Sequence, residues 1–182
     1  AKLAMTDDAK KTYALADMEL DGKEIMTLRG MKNDSLPTSE YNLDIAIKRL
    51  PLSRASAFLP DGTGDMTGYL NGSMKVVGPE TNPSINGYLQ FDTAQVRIQN
   101  YGWALTFDGR RIPVDNGRVR FDSYELRGAN GKPITIDGYV DLSMNVDKIY
   151  SDLKLKGRNV QVINGKKRGR VELYGKGFVD IN

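Results

Sequence analysis

The chain has 182 residues, with 26 basic and 23 acidic side chains, a net charge of +3, and neither histidine nor cysteine. Without imidazole and thiol groups, serine–histidine and cysteine–histidine catalysis, histidine- or thiolate-ligated zinc, and disulfide bonds are all excluded. The charge is small and spread along the chain, so it gives weak support for a nucleic-acid partner, and no apolar run approaches the roughly 18 residues that span a bilayer. We expect one domain over residues 1–182 with no enzymatic activity, cofactor or metal site.

Alternation of apolar and polar residues predicts strands along nearly the whole chain. Pairs such as Asp21-Gly22, Asn116-Gly117 and Asn130-Gly131 predict turns between strands, whereas Asn71-Gly72 falls within a continuous alternation and predicts a bulge. Only Pro51 to Leu59 has the spacing of a helix, which would close one end of the sheet. The predicted strands cover about 12–20, 24–30, 40–48, 66–77, 84–91, 95–100, 103–108, 117–122, 134–146, 149–157 and 169–181.

The longest alternation, from Ile134 to Val146, predicts a strand of about 40 Å. Apolar residues in it and in the other strands point one way, which predicts an antiparallel sheet with one apolar and one polar face. Because so little of the chain is helical, we expect an all-β fold that curls into a taco-like half-pipe or flattened barrel; a β-sandwich closed on its own side chains is the alternative. The residues expected to line the concave face are Leu43, Ile45, Ile47, Met66, Met74, Val76, Ile85, Leu89, Phe91, Val96, Ile98, Leu105, Phe107, Val119, Phe121, Ile134, Ile136, Val140, Leu142, Met144 and Val146.

A short repeat places glycines at equivalent positions. Ile85-Asn86-Gly87-Tyr88-Leu89 recurs as Ile136-Asp137-Gly138-Tyr139-Val140, and more loosely as Met66-Thr67-Gly68-Tyr69-Leu70. Parity puts Gly68, Gly87 and Gly138 on the apolar face, where a glycine within a strand indicates a bend or a close approach to the backbone. We expect these glycines to mark where the sheet bends, although a bulge in a packed sandwich explains them too.

The tyrosines of the same repeat, Tyr69, Tyr88 and Tyr139, fall on the polar face. They suggest a rival function, a recognition module that stacks glycan or peptide on these rings. Cross-strand packing explains exposed tyrosines equally well.

Two further motifs favour simpler interpretations. Asp61-Gly62-Thr63-Gly64-Asp65 resembles a calcium loop but lacks the remaining oxygen ligands, so a plain turn is the better interpretation. The basic run Lys166 to Arg170 follows Asn164-Gly165, which favours a solvated hairpin tip over a site for phosphate or lipid head groups.

After the predicted helix, several glycine-containing phrases follow in a fixed order: Gly68-Tyr69-Leu70-Asn71-Gly72-Ser73 with Val77-Gly78, Pro83 to Leu89, Phe107-Asp108-Gly109-Arg110-Arg111-Ile112, Gly117 to Phe121, and Gly131 to Gly138. In this order they resemble the translocation and assembly module (TamB) family and the related AsmA-like proteins. The resemblance extends from about Leu50 to the end of the chain.

The resemblance implies a long taco-shaped sheet with an apolar concave face, in a protein that is anchored in the inner membrane and crosses the periplasm of two-membrane bacteria. This chain would be a fragment of such a protein. The implied function lies in outer-membrane biogenesis, through phospholipid transport between the membranes or assembly of outer-membrane proteins. The implied partners are phospholipid acyl chains or unfolded outer-membrane β-strands, together with an outer-membrane assembly factor.

Overall fold

The computed structural model describes residues 2–8, 11–35, 37–54, 65–98, 103–142 and 150–160. These residues form one antiparallel sheet of eleven strands and contain no α-helix, which confirms the predicted all-β class. Within the described ranges β1 and β11 each pair on one side only, so the sheet does not close. The strands are β1 (Lys2–Asp8), β2 (Lys11–Leu20), β3 (Lys23–Asn33), β4 (Glu40–Pro51), β5 (Asp65–Pro79), β6 (Ser84–Ile98), β7 (Trp103–Phe107), β8 (Arg111–Asp115), β9 (Arg118–Arg127), β10 (Pro133–Asp141) and β11 (Tyr150–Gly157).

The differences from the predicted strands have local causes. The described residues of the segments expected at 84–91 and 95–100 form the single strand β6, which ends at Ile98, because a bulge at Thr93 shifts the alternation without ending the strand. β1 and β8 lie outside the predicted strands. β8 alternates Ile112 and Val114 with polar residues, but Pro113 lowers its strand signal because proline cannot donate to the hydrogen-bond ladder.

The prediction of a 40 Å strand over residues 134–146 is wrong. β10 has nine residues, about 30 Å, and ends at Asp141, where its last pairs are with Arg118 on β9 and Tyr150 on β11. β9 begins at Arg118, so its ladder with β10 ends at that pair. Leu142 has left the strand, donates its N–H to the carbonyl of Gly117 at 2.8 Å, and is 41% exposed.

Several other predictions fall wholly or partly outside the described residues. Leu52 to Arg54 form one 3-10 turn at the start of the predicted helix, and residues 55–64 are not described. Also outside the described residues are Met144 and Val146, the aspartate-rich loop up to Gly64, and residues 161–182, which include the basic run and the last predicted strand.

β7 and β8 are two halves of one interrupted strand between β6 and β9. β6 pairs with β8 through residues 87–90 and with β7 through residues 95–98, and β9 also pairs with both. The interruption at Asp108–Arg110 is held by the N–H of Asp108, which donates to Glu125 at 2.9 Å, and by the amide of Gln90, which donates to the Gly109 carbonyl at 2.7 Å. The buried hydroxyl of Tyr124 donates to the Asp108 carbonyl, and burial raises its pKa.

The interruption belongs to a line of irregularities across the middle of the sheet. Three residues with left-handed backbone, Arg49, Thr93 and Ser123, have φ values of +48°, +49° and +47° and lie at register shifts of β4, β6 and β9. Each shift sets one additional residue against the neighbouring strand, which is a β-bulge. Bulges bend strands and increase their twist, so this line is where the sheet curves.

Side-chain oxygens satisfy backbone groups at these irregular positions. The oxygen of an Asn or Asp that precedes a strand glycine accepts a hydrogen bond from the N–H of a left-handed residue, which lies on the neighbouring strand or in the β8–β9 turn. The acceptor–donor pairs are Asn71 with Arg49 at 2.8 Å, Asn86 with Asn116 at 2.9 Å, and Asp137 with Ser123 at 2.9 Å. The Asx-Gly dipeptides therefore satisfy donors that the bulges and the β8–β9 turn would leave without a strand partner. Asn71-Gly72 lies inside β5 opposite the β4 bulge, which confirms that it is not a turn.

The repeat glycines lie where the backbone of a neighbouring strand comes close. Gly87 and Gly138 have φ values of +154° and +124°, and a Cβ at either would stand 2.0 Å from a carbonyl oxygen of the next strand, that of Ser73 or Asp152. A Cβ at Gly68 would be 2.5 Å from the Thr93 carbonyl. No side chain fits there without moving a strand, so these positions require glycine.

We expect Gly138→Ala to lower the free energy of unfolding by about 1–3 kcal/mol, because it combines an unfavourable φ with a backbone clash. Gly109→Ala is the matched control, since Gly109 has no positive φ and its Cβ would lie 3.7 Å from the nearest atom. That control should change stability by less than about 0.5 kcal/mol in urea unfolding. Equal effects of the two changes would contradict the close approach at Gly138.

Asn71→Ala should destabilise the protein by about 1 kcal/mol, because it removes the acceptor for the Arg49 N–H. Asn71→Asp keeps that oxygen, as Asp137 does in the equivalent place, and should remain close to the wild type at neutral pH. Thermal unfolding of both variants measures the difference, and an Asp variant as unstable as the Ala variant would show that the hydrogen bond is not what matters.

Candidate functional site

Strand pairing collects the apolar residues on one side of the sheet, which we call the apolar face. Directly paired residues in antiparallel strands project to the same side. One row of such pairs crosses seven strands: Leu28, Ile45, Met74, Gly87, Val114, Val119 and Val140. A second row, next to it, contains Met26, Ile47, Gly72, Leu89 and Ile112, and a third contains Gly30, Leu43, Val76 and Ile85.

The remaining predicted residues fall in pairs of the same kind. These pairs are Phe91 with Leu70, Val96 with Met66 and Leu105, Ile98 with Trp103, Phe107 with Leu126, Leu126 with Ile134, Ile136 with Tyr124, and Phe121 with Gly138. Every predicted lining residue in these strands whose side chain is described is therefore on the apolar face.

The apolar face is only partly covered. Val76 and Val119 are buried and Leu142 is exposed, while every other predicted lining residue whose side chain is described is half-buried. All the described strands belong to the one sheet, and these ranges supply neither a second sheet nor a helix above it. A sandwich closed on its own side chains would bury most of these residues. The described part of the chain thus has an accessible apolar surface.

One section of this face is closed. Ile112, Val114, Val119 and Tyr124 are 2%, 3%, 6% and 3% exposed and form a buried cluster over β8 and β9. Phenylalanines border it, and the rings of Phe91 and Phe107 lie 4.5 Å apart between centroids.

The sequence prediction missed most of that cluster. Ile112 and Val114 do alternate, but they belong to the unpredicted strand β8. Tyr124 has no such signal, because the bulge at Ser123 shifts the parity of β9 between Phe121 and Tyr124. Leu153 and Leu155 on β11, which pair with Gly138 and Ile136, also extend the apolar face beyond the predicted set.

On the opposite, polar face each repeat tyrosine lies beneath an arginine. The guanidinium carbons of Arg49, Arg111 and Arg118 are 4.0, 4.1 and 4.9 Å from the ring centres of Tyr69, Tyr88 and Tyr139 in turn. Such a contact is a cation–π interaction. The parity prediction for these tyrosines is confirmed, and each half-buried ring already has one face occupied by the protein.

Carboxylates hold two of these arginines in place. Arg49 Nη1 lies 3.0 Å from Asp92 Oδ2, and Arg118 Nε lies 3.0 Å from Asp141 Oδ2. The hydrogen bond to Asp141 raises the pKa of Arg118. The Arg118 ion pair also lines an open, mostly polar pocket of about 700 Å³ beside the β8–β9 turn.

The apolar face ends in a polar cluster at one end of β3 and β4, which we call the Lys32 cluster: Lys32, Asp34, Ser39, Tyr41 and Glu80. Lys32 pairs directly with Tyr41, so both belong to the apolar face. Lys32 Nζ lies 3.1 Å from Glu80 Oε1 and 3.4 Å from Asp34 Oδ1, and the Tyr41 hydroxyl donates to Glu80 at 3.0 Å. The Ser39 hydroxyl donates to Asp34.

These contacts favour the charged forms of the cluster. The hydrogen bond from Lys32 lowers the pKa of Glu80, and the hydrogen bond from Ser39 lowers the pKa of Asp34. The hydrogen bond to Glu80 raises the pKa of Lys32. At neutral pH the cluster holds one positive and two negative charges.

No protein-family model, curated protein or solved structure matches this chain. Among the described residues, no helix has the length and hydropathy to cross a membrane. In the same ranges, no three carboxylates come together as a metal site would require.

The stability of the protein should fall as the pH drops below about 4. The pKa values of Asp34 and Glu80 are lowered by folding, and so is that of Asp137, chiefly through the Ser123 N–H. Their contribution is complete above the ordinary pKa values of 3.8 for Asp and 4.5 for Glu, and it is lost as the pH falls through the lowered values.

Urea midpoints measured between about pH 7 and about pH 3 test this dependence. Glu80→Gln removes one of the three groups and should make the decline shallower. A midpoint that stays constant over the whole range would contradict the lowered pKa values.

Proposed function

We propose that this chain is a non-enzymatic segment of an envelope-spanning protein, and that its apolar face shields phospholipid acyl chains from water during outer-membrane biogenesis. The main support is the set of continuous apolar rows that cross the sheet and stay partly exposed. The resemblance to the TamB and AsmA-like proteins supplies the cellular setting, a periplasmic segment of a protein anchored in the inner membrane and working with an outer-membrane assembly factor.

Acyl chains suit this surface for a simple energetic reason. Each CH₂ group removed from water is stabilised by about 0.8 kcal/mol, so an apolar surface holds a chain without any specific polar contact. Met26 and Met74 lie in neighbouring rows of the face. Methionine side chains adapt to differently shaped neighbours, which suits a surface over which chains move.

Unfolded outer-membrane β-strands are the second ligand class, and the apolar face suits them less well. A strand carries backbone N–H and C=O groups that need partners once water is removed. The described sheet offers such partners only along the edges of β1 and β11, whereas the apolar rows extend over its face.

The rival function, recognition of glycan or peptide by Tyr69, Tyr88 and Tyr139, receives less support. Stacking needs an open ring face beside free polar groups, and an arginine already lies over each ring. Packing within the polar face accounts for these tyrosines.

Charge substitutions test the proposal. Ile45 is half-buried in the middle of the first apolar row, so Ile45→Arg should leave the protein folded, with a modest loss of thermal stability, and abolish lipid retention. Asn42→Arg, on the same strand but facing the polar side, is the matched control and should retain lipid. The measurement is extraction and mass spectrometry of lipid from purified protein after incubation with phospholipid vesicles.

Two further variants separate open from closed parts of the face. Ile112→Arg buries an unpaired charge in the closed cluster, which costs several kcal/mol, and should prevent folding. Leu142→Arg lies at an exposed position and should leave the fold intact. Wild-type protein that retains no lipid would refute the proposal, and an unfolded Ile45→Arg variant would show that this row is closed core.

A further inference from the structure

We propose that the Lys32 cluster binds the head group of a zwitterionic phospholipid, one that carries both a phosphate and an ammonium, and thereby sets the direction in which the lipid lies on the apolar face. This inference rests on the proposed function, since it concerns the same surface and the same ligand class.

The first argument is position. Lys32 and Tyr41 form a row that is next to the row of Gly30 and Leu43, about 7 Å further along the strands. From Tyr41 to Ile47 the strand rises about 20 Å. The hydrocarbon region of one lipid leaflet is about 15 Å thick, so an acyl chain that begins near Tyr41 reaches across the apolar rows.

The polar character is confined to this one end of β3 and β4. In the opposite direction along the same strands the apolar face continues through Met26, Ile47 and Leu50. An amphiphile placed with its head group at that opposite end would set its charges against these apolar side chains. The polarity of the face therefore favours one orientation.

The second argument is charge. Lys32 is 31% exposed, and the carboxylates of Asp34 and Glu80 are 40% and 44% exposed, so all three are accessible to a ligand. A phosphate fits beside the Lys32 ammonium and the Tyr41 hydroxyl, and a head-group ammonium fits beside the two carboxylates. A zwitterion thus replaces the existing Lys32 ion pairs with equivalent contacts.

A purely anionic head group fits this site less well. Its phosphate would meet the same lysine, but it would bring no cation to the two carboxylates, which would then repel it. The cluster has a net charge of −1, so the difference should appear as a preference between head groups.

The test is a competition on the whole chain. Protein is incubated with vesicles that contain equal amounts of phosphatidylethanolamine and phosphatidylglycerol with identical acyl chains, and the ratio of the two lipids retained is measured by mass spectrometry. We expect the wild type to favour phosphatidylethanolamine about fivefold, as one charge-assisted contact would give. The double variant Asp34→Asn with Glu80→Gln should lose this preference while retaining the same total amount of lipid.

Asp44→Asn is the matched control, because it removes an exposed carboxylate from the polar face of the same strand, and its lipid ratio should equal that of the wild type. Glu80→Gln alone, a milder change, should reduce the preference if the double variant does not fold. A wild-type ratio equal to that of the vesicles, or an Asp44→Asn variant that loses the preference equally, would overturn this inference and leave the apolar face as a lipid site. Failure to retain either lipid would instead refute the proposed function.

Discussion

The register between neighbouring strands is the constraint on which the rest of this structure depends. A slip of one residue moves every side chain of a strand to the other face, so the apolar rows exist only while each strand keeps its pairing. The first row crosses from β3 to β10 as an uninterrupted series of direct pairs, from Leu28 through Met74 to Val140. That continuity separates an apolar face from a polar one over the whole width of this part of the sheet.

The bulges curve this sheet while preserving the rows. Each adds a residue, and with it a backbone group that the ladder does not pair, on one strand only. The Asx-Gly pairs compensate for this. The Asx oxygen accepts a hydrogen bond from the N–H of Arg49 or Ser123, and the glycine, as at Gly138, allows the neighbouring strand's backbone to come close. The sequence repeat therefore reflects one recurring structural need: an acceptor for an unpaired backbone N–H, next to a glycine that allows a close backbone approach.

The two faces are stabilised in different ways, which bears on function. The polar face is held by cation–π contacts and ion pairs between its own side chains, such as Arg49 with Tyr69 and Asp92, and an arginine covers one face of each repeat tyrosine. The apolar face is closed over β8 and β9, and most of its described side chains elsewhere are partly exposed. The continuous rows of partly exposed apolar residues thus lie on one side of the sheet and end at a charged cluster, a pattern that matches an amphiphilic ligand.

Alternation by itself determined the fold class and the side on which residues such as Leu43, Ile45 and Leu89 lie, because the two-residue period of a strand is a local property. The turn dipeptides and the repeat glycines could also be identified from short stretches of sequence. Only the tertiary structure decided the rest: that β10 ends where its ladder with β9 ends, that the Ser123 bulge turns Tyr124 inward, and that Lys32 meets Glu80. These features depend on which strands pair and in what register. That pairing is determined jointly by residues that are far apart in the chain, so no single stretch of sequence predicts it.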